Sequence, residues 1–208
     1  PRIDALFAAG PIAVETAAAN AQHYEVPAAF YQHMLGPHLK YSSCWWDTEC
    51  PDLAAAEAAM LHLTCQRAQL AGEQCILELG CGWGSLSLWM AARYPESKFV
   101  AVSNSNSQRE FIQAKCRDRK IANLTVITAN MNAFETHTRF DRIVSIEMFE
   151  HMRNWQGLLK KISTWLKPDG KLFVHIFSHK RFAYLYESEA DDDWMGQHFF
   201  SGGMMPSH

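Results

Sequence analysis

No run of about eighteen consecutive apolar residues occurs in the 208-residue chain, so no transmembrane helix is expected. The alanine-rich start carries Asp4, Glu15 and Asn20 and lacks the basic opening and continuous apolar stretch of an export signal. None of the six cysteines (Cys44, Cys50, Cys65, Cys75, Cys81 and Cys116) stands in CxxC spacing, and reduced thiols in the cytoplasm are the expected state. The ten histidines form no zinc pattern with them; His175 and His179 are four apart, but the residues between read as strand, so no metal site is expected. Long basic runs are also missing. With 19 basic and 22 acidic residues the net charge is −3, which favours neither nucleic acid nor an anionic membrane surface as a partner. Lys115, Arg117, Arg119 and Lys120 cluster late in a helical pattern, where a solvated face and a helix C-terminus explain them. Internal repeats are absent.

A hydrophobic content of 48% is enough for a substantial core, and the length fits one domain or a domain with a short appendage. Residues 1–70 read as a helical cap region, punctuated by Pro27, Gly36 and Pro37. Within it Asp52–Leu70 is a helix with Asp52 as its cap. Residues 71–208 form the second region, where short β-rich runs at Gln74–Leu79, Lys98–Ser103, Leu124–Thr128, Phe140–Ile146 and Lys171–Phe177 alternate with helical patterns near Ser85–Tyr94, Ser107–Arg119 and Asn154–Leu166. This alternation predicts an α/β fold: a Rossmann-like parallel sheet with helices on both faces, binding ligands beyond the C-terminal strand ends.

The first strand runs straight into Gly80-Cys81-Gly82-Trp83-Gly84-Ser85, and a helical pattern follows at once. Glycines there clear side chains from where a ligand lies against backbone, and the helix start offers free N–H groups. The spacing is not that of a dinucleotide fingerprint, which places its third glycine one position later. Glu78, two residues before the first glycine, would repel a pyrophosphate but receive an ammonium group. The pattern suits a cationic cofactor bearing an amino acid, and it resembles the first motif of S-adenosyl-L-methionine-dependent methyltransferases.

The second strand end lacks the usual ribose-binding acid and carries Asn104 and Gln108, whose amides both donate and accept. After the third strand Asn130 stands where such enzymes often hold adenine with an acid, and Met131 offers a soft contact to the ring. The fourth strand delivers Glu147, Glu150 and His151 within five positions. If that stretch is helical, Glu147 neighbours both others, and the cluster is equipped to accept a proton near neutral pH. Upstream, Tyr41-Ser42-Ser43-Cys44-Trp45-Trp46 is a polar–aromatic cluster whose rings suit adenosine or a cation, although packing is the preferred reading.

Taken with His23-Tyr24-Glu25-Val26-Pro27 and the tail Ser201–Ser207, these motifs resemble the family of cyclopropane fatty-acid synthases and plant N-methyltransferases of the coclaurine/pavine type. The resemblance runs from about residue 20 onward. It implies a class I methyltransferase fold using S-adenosyl-L-methionine, with Tyr41 and Ser42 near the methionine part and Gly80 and Gly82 along its backbone side. It implies Asn104 and Gln108 at the ribose, and Glu147, Glu150 and His151 binding and deprotonating a small aromatic or cyclic amine. Cyclopropane synthases typically have glycine at the position of Glu147 and cysteine at that of Ser43, so lipid modification ranks second; a noncatalytic cofactor-binding module is a third reading. Family members continue beyond the residue matching His208, so further sheet strands and pocket walls are expected there. Oligomeric state is left open, a homodimer included.

Overall fold

The computed structural model describes residues 8, 10–14, 27–186 and 194–208. His23–Val26, singled out in the sequence, lies outside the described residues. Among the described residues two helices come first, α1 (Ala28–Met34) and α2 (Leu53–Arg67). Then follow β1 (Cys75–Leu79), α3 (Ser85–Arg93), β2 (Lys98–Ser103), α4 (Asn106–Asp118), β3 (Leu124–Thr128), β4 (Phe140–Ile146), a single 3₁₀ turn (Phe149–His151), α5 (Trp155–Trp165) and β5 (Leu166–His175). A short β6 (Tyr184–Leu185), α6 (Trp194–His198) and β7 (Met204–Met205) complete the described chain.

The five long strands form one parallel sheet in the order β3-β2-β1-β4-β5. Alternate side chains sort onto its two faces. Ile76, Phe99 and Val144 meet Leu61 and Cys65 of α2 and Leu86 and Met90 of α3, while Ala101 and Val126 meet Ile112 and Cys116 of α4. On the other face Leu77, Leu79, Val102 and Ile143 meet Leu158, Ile162 and Trp165 of α5. Helix α2 therefore packs on the sheet itself, beside α3. The chain order reverses direction across the sheet at β1/β4, and there the strand ends diverge into a crevice.

Asp52 caps α2 as the sequence indicates, accepting the Ala55 N–H at 2.9 Å. Removing that acceptor leaves an orphan donor. Asp52→Ala is expected to cost about 1 kcal/mol, lowering Tm by about 2–4 °C in a thermal melt of a chain of this size.

The fifth strand departs from its sequence reading. It begins at Leu166 rather than Lys171, because Leu166 pairs with Phe140 across an irregularity before Lys171 pairs with Arg142. The intervening Pro168-Asp169-Gly170 is turn chemistry, and it masks a backbone that stays in the ladder. The aromatic segment 41–46 also departs from the packing reading: Tyr41, Trp45 and Trp46 are 52%, 46% and 58% exposed. Residues 40–46 contain no helix, so no inward face gathers the rings. The tail folds back onto the sheet edge. Met204 is fully buried, and a Cβ at Gly203 would stand 2.7 Å from the Glu150 carbonyl oxygen.

Candidate active site

A cavity of about 260 Å³ opens at the C-terminal ends of β1, β2 and β4. Of the twelve residues picked from the sequence, eleven line it: Tyr41, Ser42, Glu78, Gly80, Gly82, Asn104, Gln108, Asn130, Met131, Glu147 and His151. They come from five separated segments, brought together by the parallel strands ending at one level.

The three glycines serve three purposes. Gly82 (φ +51°) has no atom within 4 Å of where a Cβ would project, so its backbone is bare toward open space. Gly80 is pressed by the Met148 side chain, at 2.6 Å from a hypothetical Cβ. Gly84 (φ +82°) is outside the cavity lining; its missing Cβ leaves room for Ile112 of α4, 2.6 Å away. It is a packing glycine, and the expectation that it bares backbone for a ligand does not hold.

Glu78 is buried at the cavity wall and accepts a hydrogen bond from the Ser87 hydroxyl of α3. Burial raises its carboxyl to about 7, opposed by the Ser87 bond. A cationic group beside it would restore the ionised form. Gln108 is held by its own neighbours: its Oε1 accepts the Ser103 hydroxyl at 2.6 Å and its backbone N–H is capped by Ser105. Asn130 Oδ1 accepts the Asn132 N–H at 2.9 Å, so the amide builds the loop that carries Met131 into the wall.

At the fourth strand end the helical expectation fails. Glu147 is not in a helix; its φ is +51°, and its N–H still bonds the His175 carbonyl as a continuation of the sheet. The 3₁₀ turn starts two residues later and faces its three residues apart by about a third of a revolution each. His151 reaches the cavity, with its ring 5.1 Å from that of Phe200. Glu150 does not. It is fully buried, Oε1 accepts the Phe177 N–H at 3.1 Å, and Oε2 has no hydrogen-bond partner. Glu150 is thus not among the residues that line the cavity.

Burial raises the Glu150 carboxyl to about 7, with the Glu147 charge adding to the rise and the Phe177 bond opposing it. The folded state therefore holds this proton where the unfolded chain has released it. Stability contributed by the neutral form is lost as pH climbs from about 4.5 to about 7. Glu150→Gln should flatten that part of the profile, gaining about 1–3 kcal/mol at pH 8 relative to pH 5 in urea titrations of variant and parent.

Several lining residues are not among the site residues expected from the sequence. Lys40 is buried at the wall, and desolvation lowers its amine while the Glu147 charge opposes that. Phe199, Phe200 and Ser201 close the cavity from the tail. Lys40 adjoins Tyr41-Ser42 and Ser201 opens the tail motif, but neither pattern indicates that a segment folds back over a strand end.

The parallel order, the glycine turn and the strand-end cavity define a Rossmann-like fold of the class I methyltransferase type. The model of the family described as mycolic acid cyclopropane synthetase matches residues 13–208, and the chain belongs to that family. Within it the chain is 43% identical over 194 residues to (S)-coclaurine N-methyltransferase of Thalictrum flavum subsp. glaucum, covering 93% of this chain and 54% of the relative. It is 30% identical over 188 residues to the cyclopropane-fatty-acyl-phospholipid synthase of Escherichia coli K12, covering 89% of this chain and 46% of that one. The crystal structure of coclaurine N-methyltransferase bound to N-methylheliamine and SAH superposes with a TM-score of 0.92 at 41% identity, over 99% of this chain and 60% of that one. The chain spans about half the length of the curated relatives it matches.

Proposed function

We propose that the protein is an S-adenosyl-L-methionine-dependent methyltransferase acting on the nitrogen of a small aromatic or cyclic amine. The observation that carries this reading is one cavity shared by the bare backbone at Gly82, the buried carboxylate of Glu78 and the pair Glu147 and His151. The residues fit the cofactor chemically: Glu78 for its ammonium, Tyr41, Ser42, Gly80 and Gly82 along the methionine part, Asn104 and Gln108 for ribose hydroxyls, Asn130 and Met131 for adenine. When bound, the cofactor supplies a methyl group on a positively charged sulfur. Glu147 would hold the acceptor amine, and His151 would take the proton that the nitrogen must lose. Glu150, lying beneath, supports the turn that presents His151 and is not a contact of the acceptor.

The similarity to N-methyltransferases, and to a structure whose own ligands are an N-methylated amine and SAH, supports the amine over a lipid acceptor. Among the described residues no helix is long and apolar enough to cross a membrane. The six free thiols support a cytoplasmic setting.

The test is an acceptor screen with radiolabelled methyl donor and the full-length protein, offering amines and unsaturated phospholipids in parallel. Label in an amine is expected. Label only in lipid, with the added mass of one CH₂, would replace this reading by the cyclopropane one. Cofactor binding without label in any acceptor would leave a noncatalytic module.

A further inference from the structure

Glu57 of α2 is a fully buried carboxylate that the proposed chemistry does not use. Its two oxygens accept backbone N–H groups from one strap: Oε2 from His38 at 2.8 Å and Oε1 from Lys40 at 2.9 Å. Gly36 lies so close that a Cβ there would meet Oε2 at 2.5 Å. The strap turns through left-handed backbone at Leu39 (φ +53°) and again at Ser43 (φ +57°). It then delivers two hydroxyls to one carboxylate 104 or 105 residues away: Ser43 Oγ donates to Glu147 Oε1 at 2.6 Å, and Ser42 Oγ donates to Oε2. Glu147 is itself left-handed. Three unfavourable non-glycine conformations are thus joined in a single hydrogen-bonded system, and such conformations persist where surrounding contacts over-determine them.

We propose that Ser43 is a positioning residue, set by the Glu57-anchored strap, that orients the Glu147 carboxylate for a cationic or amine acceptor. This rests on the amine reading above. Ser43 does not line the cavity; Glu147 does. Two donors on its two oxygens fix the plane of the carboxylate, and the lone pairs left over face the acceptor in a defined direction. Ser43 therefore bears on acceptor affinity through Glu147, whereas Tyr41 and Ser42 of the same strap line the cavity and also face the cofactor.

Ser43→Gly tests this, because glycine adopts φ +57° without strain and so preserves the fold while removing the hydroxyl. KM for the amine and its calorimetric Kd, measured with SAH present, are expected to rise roughly tenfold, the loss typical of a hydrogen bond to a charged group. The affinity for SAH and the melting temperature should not fall, and kcat should change less than KM. Ser43→Asn, which tolerates left-handed backbone and carries an amide donor, should recover much of the amine affinity. Glu57→Gln, with one carbonyl acceptor for two N–H groups, should raise KM in the same direction. Parental KM and Kd in Ser43→Gly, in a protein that methylates the amine, would overturn the positioning role alone. No methylation and no amine binding by the unaltered protein would overturn the reading of the site, and this inference with it.

Discussion

His151→Ala is expected to lower kcat for amine methylation by about 10²–10⁴, the usual contribution of a positioned proton acceptor. His151 is the imidazole that lines the cavity, and its ring lies 5.1 Å from Phe200, which the folded-back tail supplies. The residue sits on a 3₁₀ turn whose other polar member, Glu150, is committed to the Phe177 N–H. Truncation therefore removes a proton acceptor without opening the packed layer beneath. Two measurements separate this from general damage. Calorimetric affinity for SAH should be retained, since the glycine turn and the β2 and β3 strand ends are untouched. Added imidazole should restore part of the rate. Full activity in the variant would remove His151 from the reaction and move the proton to another acceptor.

Gly84→Val should destabilise the fold strongly. The residue precedes α3 at φ +82°, where a β-branched side chain is strained by about 1–3 kcal/mol. Its Cβ would stand 2.6 Å from Cγ1 of Ile112, which is fully buried in the packing of α4 against the sheet. Overpacking of that kind adds about 1–3 kcal/mol. The sum, about 2–6 kcal/mol, is a large fraction of the stability of an ordinary domain. Urea unfolding followed by circular dichroism measures it. Gly82→Ala is the contrasting variant. No atom stands within 4 Å of its new methyl, so packing is spared and only the left-handed backbone costs about 1–2 kcal/mol. The methyl enters the cavity instead, so affinity for SAH should fall while the fold survives. Equal stability loss in the two variants would contradict the division of labour among the glycines.

The sheet was legible because its signals are local. Lys98–Ser103, Leu124–Thr128 and Phe140–Ile146 are continuous β-rich runs, and the structure ends them at the same residues. Parallel strands ending at one level also made the site legible, since any polar residue just past a strand faces the same crevice. Asn104, Gln108, Asn130 and Glu147 follow strands in that way, and all line the cavity. Leu166 escaped because turn residues follow it within the ladder. Glu150 does not share the cavity lining with Glu147 and His151, because the three-residue and four-residue spacing that would group them holds only inside an α-helix, and Glu147 is not in one.

The amino-acid sequence by itself determined the parallel α/β architecture, the glycine turn and the set of strand-end residues, because hydrophobic period and turn chemistry act over a few neighbouring residues. Only the tertiary structure decided which carboxylate faces the cavity, which glycine serves packing, and that Glu57 ties down the strap holding Glu147. Those assignments depend on contacts between segments up to about a hundred residues apart, and on backbone angles that the packed sheet imposes.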